Sequence, residues 1–264
     1  MELQLTNKRV FISGSTSGIG FAMAQGFLEE GAKVIINGRS ENTIREAIDK
    51  LKSKNPEADV SGIIADFRDH KSIEFIQKQI DQVDILINNV GIFSSTSFQE
   101  TSDQEWEKMF QVNVMSAVRL SKYFLPKMFK QNWGRIIFIS SECAQLVPED
   151  LIAYSTTKAA LLSLSRGLAQ TTKGTQVTVN ALLPGSTLTA GAVTFLKDQA
   201  IQQDRSEDEV AEEFFKKTRR SSLLQRFAQP KEISDMALFI ASPLSAATNG
   251  AAIKVDGGSI PGIL

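Results

Sequence analysis

Two hydrophobic rhythms alternate along this chain. Short, nearly unbroken apolar runs occur at Arg9-Val10-Phe11-Ile12-Ser13, Lys33-Val34-Ile35-Ile36-Asn37, 60–65, 83–87, 135–140, 177–183 and 252–255. Such runs, bounded by glycine, proline or polar residues, predict buried strands. Between them lie stretches with helical spacing. One begins at Phe21 with Ala22, Ala24 and Phe27 and stops at Gly31; another spans 40–54 and breaks at Asn55-Pro56. Further helices are predicted over 69–81, 103–131, 154–172 and 231–241, with a polar, partly helical segment at 190–222. Strict alternation of strand and helix predicts an α/β fold, a doubly wound parallel sheet of about seven strands with helices on both faces. With no linker or repeat, residues 1–264 read as a single Rossmann domain.

In such sheets ligands bind beyond the carboxyl ends of the strands. Gly14, Gly38-Arg39, Asp66, Asn89, Ser141 and Pro184-Gly185 each lie just past a predicted strand, so they share one rim. Gly14, Gly18 and Gly20 follow the first strand and open the first helix. That context suits a dinucleotide: one glycine for the turn, one for backbone approach to a pyrophosphate, one for close packing. The free N–H groups of the helix start would face the phosphates.

Composition narrows the classes. The chain of 264 residues is 42% hydrophobic and 22% charged, with a net charge of -1. No long basic run suggests nucleic acid, and no apolar stretch reaches membrane-spanning length. The beginning of the chain lacks the features of a signal peptide, so a cytoplasmic location is expected. With one cysteine, Cys143, and one histidine, His70, no metal site is expected. A Ser-His-Asp triad could only use His70, which reads as a surface residue.

Chemistry concentrates between Ser140 and Lys158. A strand delivers Ser140 and Ser141 to its end, and the next helix carries Tyr154 and Lys158 four residues apart, on one face. Together with Gly14-x-x-x-Gly18-x-Gly20, Asn88-Asn89-x-Gly91, Asn113 and Pro184-Gly185, this order resembles the short-chain dehydrogenase/reductase family, in its short-subunit branch. The resemblance runs to Val255-Asp256-Gly257-Gly258.

The resemblance implies roles. Tyr154 would be the general acid/base, and Lys158 would hold the nicotinamide ribose and lower the tyrosine pKa. Ser141, thirteen residues before Tyr154, would polarise the carbonyl, and is preferred over Ser140 on spacing. Asn113 would support a water relay. A free phenol titrates near ~10, so a fixed ammonium beside it would favour phenolate. Cofactor contacts are expected from Gly14, Thr16, Ser17, Gly18, Ile19, Gly20, Arg39, Ser40, Asp66, Phe67, Asn89, Val90, Gly91, Tyr154, Lys158, Pro184, Gly185, Thr187 and Thr189. Asp66 is expected near adenine, Asn89 near the adenosine ribose, and Thr187 and Thr189 near the carboxamide. Relatives preferring NAD carry an acidic residue where this chain has Gly38, followed here by Arg39. A guanidinium suits a 2′-phosphate, so NADP(H) is expected over NAD(H), with Ser40 as a further donor or as a helix cap.

Ser13, Val90 and Glu142 depart from the family's usual threonine, alanine and small or apolar residue. Cys143 is either a pocket-lining residue or a small buried one. The covering segment is placed at 188–222, with Phe93, Phe98, Leu146, Val147, Leu151, Leu188, Val193, Phe195 and Leu196 as apolar lining. Lys216-Lys217 and Arg219-Arg220 would attract an acidic substrate or simply be solvated. The expected activity is NADPH-dependent, reversible reduction of a small-molecule carbonyl to an alcohol. Alternatives are a 3-oxoacyl-carrier-protein reductase-like enzyme, against which Asn132 and Thr175 stand at docking positions, a non-enzymatic NADP(H)-binding sensor, and a divergent enoyl reductase, whose tyrosine and lysine are more widely spaced. The helices 103–131 and 154–172, with Ala159, Ala160, Ser163 and Ala169, suit close packing in a homotetramer, or failing that a dimer.

Overall fold

Seven strands form one parallel sheet in the computed structural model, which describes residues 2–262. They are β1 (Arg9–Ile12), β2 (Lys33–Gly38), β3 (Val60–Ile64), β4 (Ile85–Asn88), β5 (Gly134–Ile139), β6 (Val177–Pro184) and β7 (Ala252–Val255). Their spatial order is β3-β2-β1-β4-β5-β6-β7, and every pairing is parallel. The order reverses between β1 and β4, which opens a crevice at their carboxyl ends.

Both faces of the sheet are apolar because successive side chains point to opposite sides. Val10 and Ile12 enter one core, Phe11 the other. Likewise Ile137 and Ile139 pack on one side, Ile136 and Phe138 on the other. Helices α1 (Gly18–Glu29) and α2 (Glu41–Lys54) cover the first face together with the late helix Pro230–Ala241. Helix α3 (Ser72–Gln79) covers the second with two longer helices described below.

The apolar pattern is less exact about helix detail. The predicted helix 69–81 begins only at Ser72, because Asp69 accepts the Lys71 N–H and holds a turn there. The helix predicted over 103–131 has three parts: α4 (Asp103–Met109), a π-helical turn (Phe110–Met115) and α5 (Ser116–Lys130). A π turn adds a residue without breaking the apolar face, and such turns mark functional positions. The stretch after Ser141 holds a short helix, α6 (Cys143–Leu146), before α7 (Ile152–Thr171). The polar segment contains two helices, α8 (Ala190–Gln203) and α9 (Glu207–Lys217), capped by Thr189 and Ser206. They share a small core of Leu196, Ala200, Val210, Phe215 and Phe227, separate from the two sheet cores. Helix α10 (Pro230–Ala241) follows.

Candidate active site

The glycine loop brings β1 onto α1. Gly14 has φ +63, and a Cβ on Gly20 would lie 2.5 Å from the Gly14 carbonyl oxygen. Ser17 makes no capping bond to the first turn of α1, which carries no acidic side chain. Its N–H groups are thus available to an anion. Two side chains lock this loop. Asn89 donates to the Ser13 and Gly14 carbonyls at 2.9 and 2.8 Å. Asn37 accepts from the Gly14 N–H at 2.9 Å and donates to Ile63 and Ala65. Asn37 was not singled out in the sequence; its one signal is an amide closing an apolar strand. Ser13 takes over the role of a threonine, its hydroxyl accepting the N–H groups of Asn89 and Val90.

At the end of β2, a Cβ on Gly38 would meet the Thr16 methyl at 2.7 Å, so no acidic side chain fits there without rearrangement. Arg39 and Ser40 follow, both exposed. Ser40 caps α2. Asp66 is held below the usual carboxylate range, chiefly by hydrogen bonds from Arg68, with Arg39 adding to the effect. The Phe67 ring is buried in the core of the second face, which leaves its backbone as the group able to meet a cofactor. Pro184 ends β6 and Gly185 packs against the Asp256 backbone. Thr187 and Thr189 are partly committed: the Thr187 hydroxyl donates to the Gly185 carbonyl, and Thr189 caps α8 with its methyl beside Gly18. Ile19 packs against the first-face core and Val90 against the second.

Lys158 and Asn113 meet at Gly91, Lys158 also faces the Tyr154 ring, and the Ser141 hydroxyl lies within hydrogen-bonding reach of the Tyr154 phenol. The Ser141 hydroxyl accepts the Cys143 N–H at 3.1 Å, which leaves its own hydrogen free to donate. Tyr154 is half-buried, with the exposed Phe93 ring edge-on at 5.9 Å. Lys158 is 3% exposed; its ammonium donates to the Ile139 carbonyl at 2.9 Å and sits 5.5 Å from the Tyr154 ring centroid. A Cβ on Gly91 would lie 3.2 Å from that ammonium. Ser140, the other serine, holds the Lys158 carbonyl instead.

Asn113 occupies the π turn. Its Oδ1 accepts from the Ile92 N–H at 2.8 Å, and its Nδ2 donates to the Ile92 carbonyl and to Thr157 Oγ1, each at 2.9 Å. Thr157 in turn donates to the Tyr154 carbonyl. The side chain thus ties the loop after β4 to α7, and its Oδ1 keeps one lone pair for a further donor.

Electrostatics differ from expectation. Burial pushes the Tyr154 phenol above its usual value, nearby Cys143 and Glu142 add to this, and the Ser141 hydroxyl opposes it. Burial lowers Lys158 to about 8. Burial is the largest of these causes for the phenol. Burial also raises the Cys143 thiol.

The basic pairs of the 188–222 segment are mostly committed. Lys216 and Lys217 pair with Glu212 and Glu213, and Arg220 donates to the Lys216 carbonyl. Arg219 forms a buried ion pair with Glu142 at 2.7 Å. Of the expected apolar lining, Leu196 belongs to the core shared by α8 and α9, whereas Phe93, Val147 and Phe195 are exposed. Among the described residues no helix is long and apolar enough to cross a membrane.

A family model described as short chain dehydrogenase matches residues 8–200. An uncharacterised oxidoreductase of Bacillus subtilis, YvrD, is 45% identical over 98% of this chain and 99% of its own. The 3-oxoacyl-[acyl-carrier-protein] reductase FabG of Aquifex aeolicus is 31% identical over 98% and 99%. The crystal structure of L-sorbose reductase from Gluconobacter frateurii, complexed with NADPH and L-sorbose, superposes with a TM-score of 0.92 at 29% identity, covering all of both chains. The chain thus belongs to the short-chain dehydrogenase family and is an oxidoreductase that acts between CH–OH and C=O groups.

Proposed function

We propose that this protein is an NADPH-dependent carbonyl reductase, reversible as an alcohol dehydrogenase, with Tyr154 as its general acid/base. The observation that carries this reading is the meeting of Ser141 with Tyr154 and of Tyr154 with Lys158, held by Asn113, on the rim that also holds the uncapped start of α1. The site fits a dinucleotide. A side chain on Gly20 would fill the cradle, and the first turn of α1 has neither a side-chain cap nor an acidic residue of its own. NADPH, when bound, supplies the hydride that reduces the carbonyl carbon.

The chain's own residues manage the oxygen. Tyr154 donates its phenolic proton as negative charge develops, and its raised pKa keeps that proton in place at neutral pH. Ser141 donates to the same oxygen with the hydrogen its Cys143 contact leaves free. Lys158 spends one donor on Ile139 and keeps two for the ribose hydroxyls and the phenol oxygen. Asn113 and Thr157 hold the loop and helix that carry these groups.

The preference for NADPH rests on the absence of an acid at Gly38 and on the exposed Arg39 beside it. The sugar ketone named with the similar L-sorbose reductase makes polyhydroxy ketones the first substrates to try. The test is a panel of ketoses, plain ketones and 3-oxoacyl thioesters, followed by nicotinamide absorbance with NADPH and with NADH. Ketone-dependent oxidation of NADPH is expected. A clear preference for NADH would overturn the Arg39 argument, and full turnover by Tyr154→Phe would overturn the mechanism.

A further inference from the structure

The segment that carries α8 and α9 is built as a unit of its own. Its helices pack around Leu196, Val210, Phe215 and Phe227, separately from both sheet cores. Backbone bonds pin its two ends: Leu188 N–H to the Ala228 carbonyl, Ala228 N–H to the Ser186 carbonyl, and the Leu223 and Leu224 N–H groups to the Gly257 carbonyl. A unit with its own core and tied ends can move as a body. Arg219, just beyond α9, joins it by a buried side chain to the turn after β5, next to Ser141.

Arg219 Nε donates to Glu142 Oε1 at 2.7 Å, with both side chains below 10% exposed. Ser186, in the loop after β6, lies 3.3 Å from the same oxygen. Arg219 Nη2 reaches Cys143 Sγ at 4.0 Å, and Cys143 donates its N–H to Ser141 Oγ. One pair thus ties the α8–α9 unit, the post-β6 loop and the catalytic serine's neighbours together. The other carboxylate oxygen, Oε2, is buried and accepts no hydrogen bond from the described residues. A buried ion pair holds firmly only when every charged atom is satisfied. Here opening lets water reach Oε2, which offsets part of the cost of separating the ions.

We propose that Glu142 and Arg219 form a releasable latch, a pair of positioning residues that closes the α8–α9 unit over Ser141 and opens it to admit and release the carbonyl compound. The proposal rests on the carbonyl-reductase reading for its kinetic arm but not for its structural one. The test uses the full chain with NADPH present. Arg219→Met and Glu142→Gln are compared with the conservative Arg219→Lys and with the double variant Glu142→Met/Arg219→Met. Replacing both charges by apolar groups commonly preserves folding, so the double variant keeps the test open if a single one fails to fold.

Thiol labelling of Cys143, buried beside the pair, reads the latch without any substrate. Labelling is expected to speed up about tenfold in Arg219→Met, because it follows the population of the open form. On the best ketone of the panel, KM is expected to rise about tenfold with kcat within about threefold of the parent. Arg219→Lys should recover part of both effects. Parent-like labelling and KM in a folded Arg219→Met, or in the folded double variant, overturn the latch. If no ketone is turned over by the parent, the carbonyl reading fails while the labelling rates still decide the latch.

Discussion

Lys158 carries a conflict that a single side chain can test. Its ammonium is buried, and burial holds its pKa near 8 against 10.5 for an exposed lysine. The charged form is thus disfavoured in the folded state. The resulting cost is fully present below about pH 8 and is relieved as the pH rises towards 10.5, where the folded chain releases a proton that the unfolded chain keeps. Its size is on the order of 3 kcal/mol. Lys158→Met is therefore expected to be more stable than the parent in urea at pH 7, with the gap closing by pH 10, while carbonyl reduction is lost. Equal stabilities at pH 7 would show that the bond to Ile139 offsets the burial. Tyr154→Phe tests the proton donor separately. It should lower kcat about 100- to 10,000-fold, the range expected for removing a general acid, while NADPH binding, read by fluorescence, stays close to the parent.

Elements show which parts of this site a one-dimensional pattern can reveal. The strands were legible because each is an apolar run between breakers, and the Tyr154–Lys158 pair because helical spacing alone puts them on one face. The π turn around Asn113 was not, since an inserted residue leaves Val112, Val114 and Ala117 as apolar as a regular helix would. Helices α8 and α9 read as a polar stretch because their few apolar residues mainly face each other. Asn37, Thr157 and the Glu142–Arg219 pair were missed because their meaning lies in partners remote in sequence, 77 positions away for the ion pair. The glycine loop stands between these cases. Its spacing was legible, but its tightness is a property of the fold. Gly20→Ala would place a methyl 2.5 Å from the Gly14 carbonyl and 2.6 Å from Asn89 Nδ2. Since both atoms are fixed, the loop must shift, at a cost of about 1–3 kcal/mol. Calorimetry should show NADPH binding weakened about tenfold or more, and unchanged affinity would mean that the loop yields without cost.

The whole molecule leaves one face of α7 open to a neighbour. Thr156, Ala159, Ser163 and Gly167 follow one another at helical spacing, all exposed, and a Cβ on Gly167 would meet nothing within 4 Å. The opposite face, with Leu161, Ser165 and Ala169, is buried. Small side chains let helix axes approach to about 8 Å, near the lower end of ordinary packing distances. Near the start of α4, Phe98 stands exposed against the Trp106 ring. Burial of these surfaces against copies of the same chain is the reading that makes them useful, with a homotetramer as the expected state and a dimer next. Ser163→Arg separates assembly from folding. Its side chain points to solvent within one chain, so the isolated fold should accept arginine within about 0.5 kcal/mol. Across a close helix contact the same arginine cannot fit. Light scattering is expected to give a tetramer for the parent and a smaller species for Ser163→Arg, with an unchanged far-UV circular dichroism spectrum. A parent that is already a monomer at micromolar concentration would remove the assembly altogether.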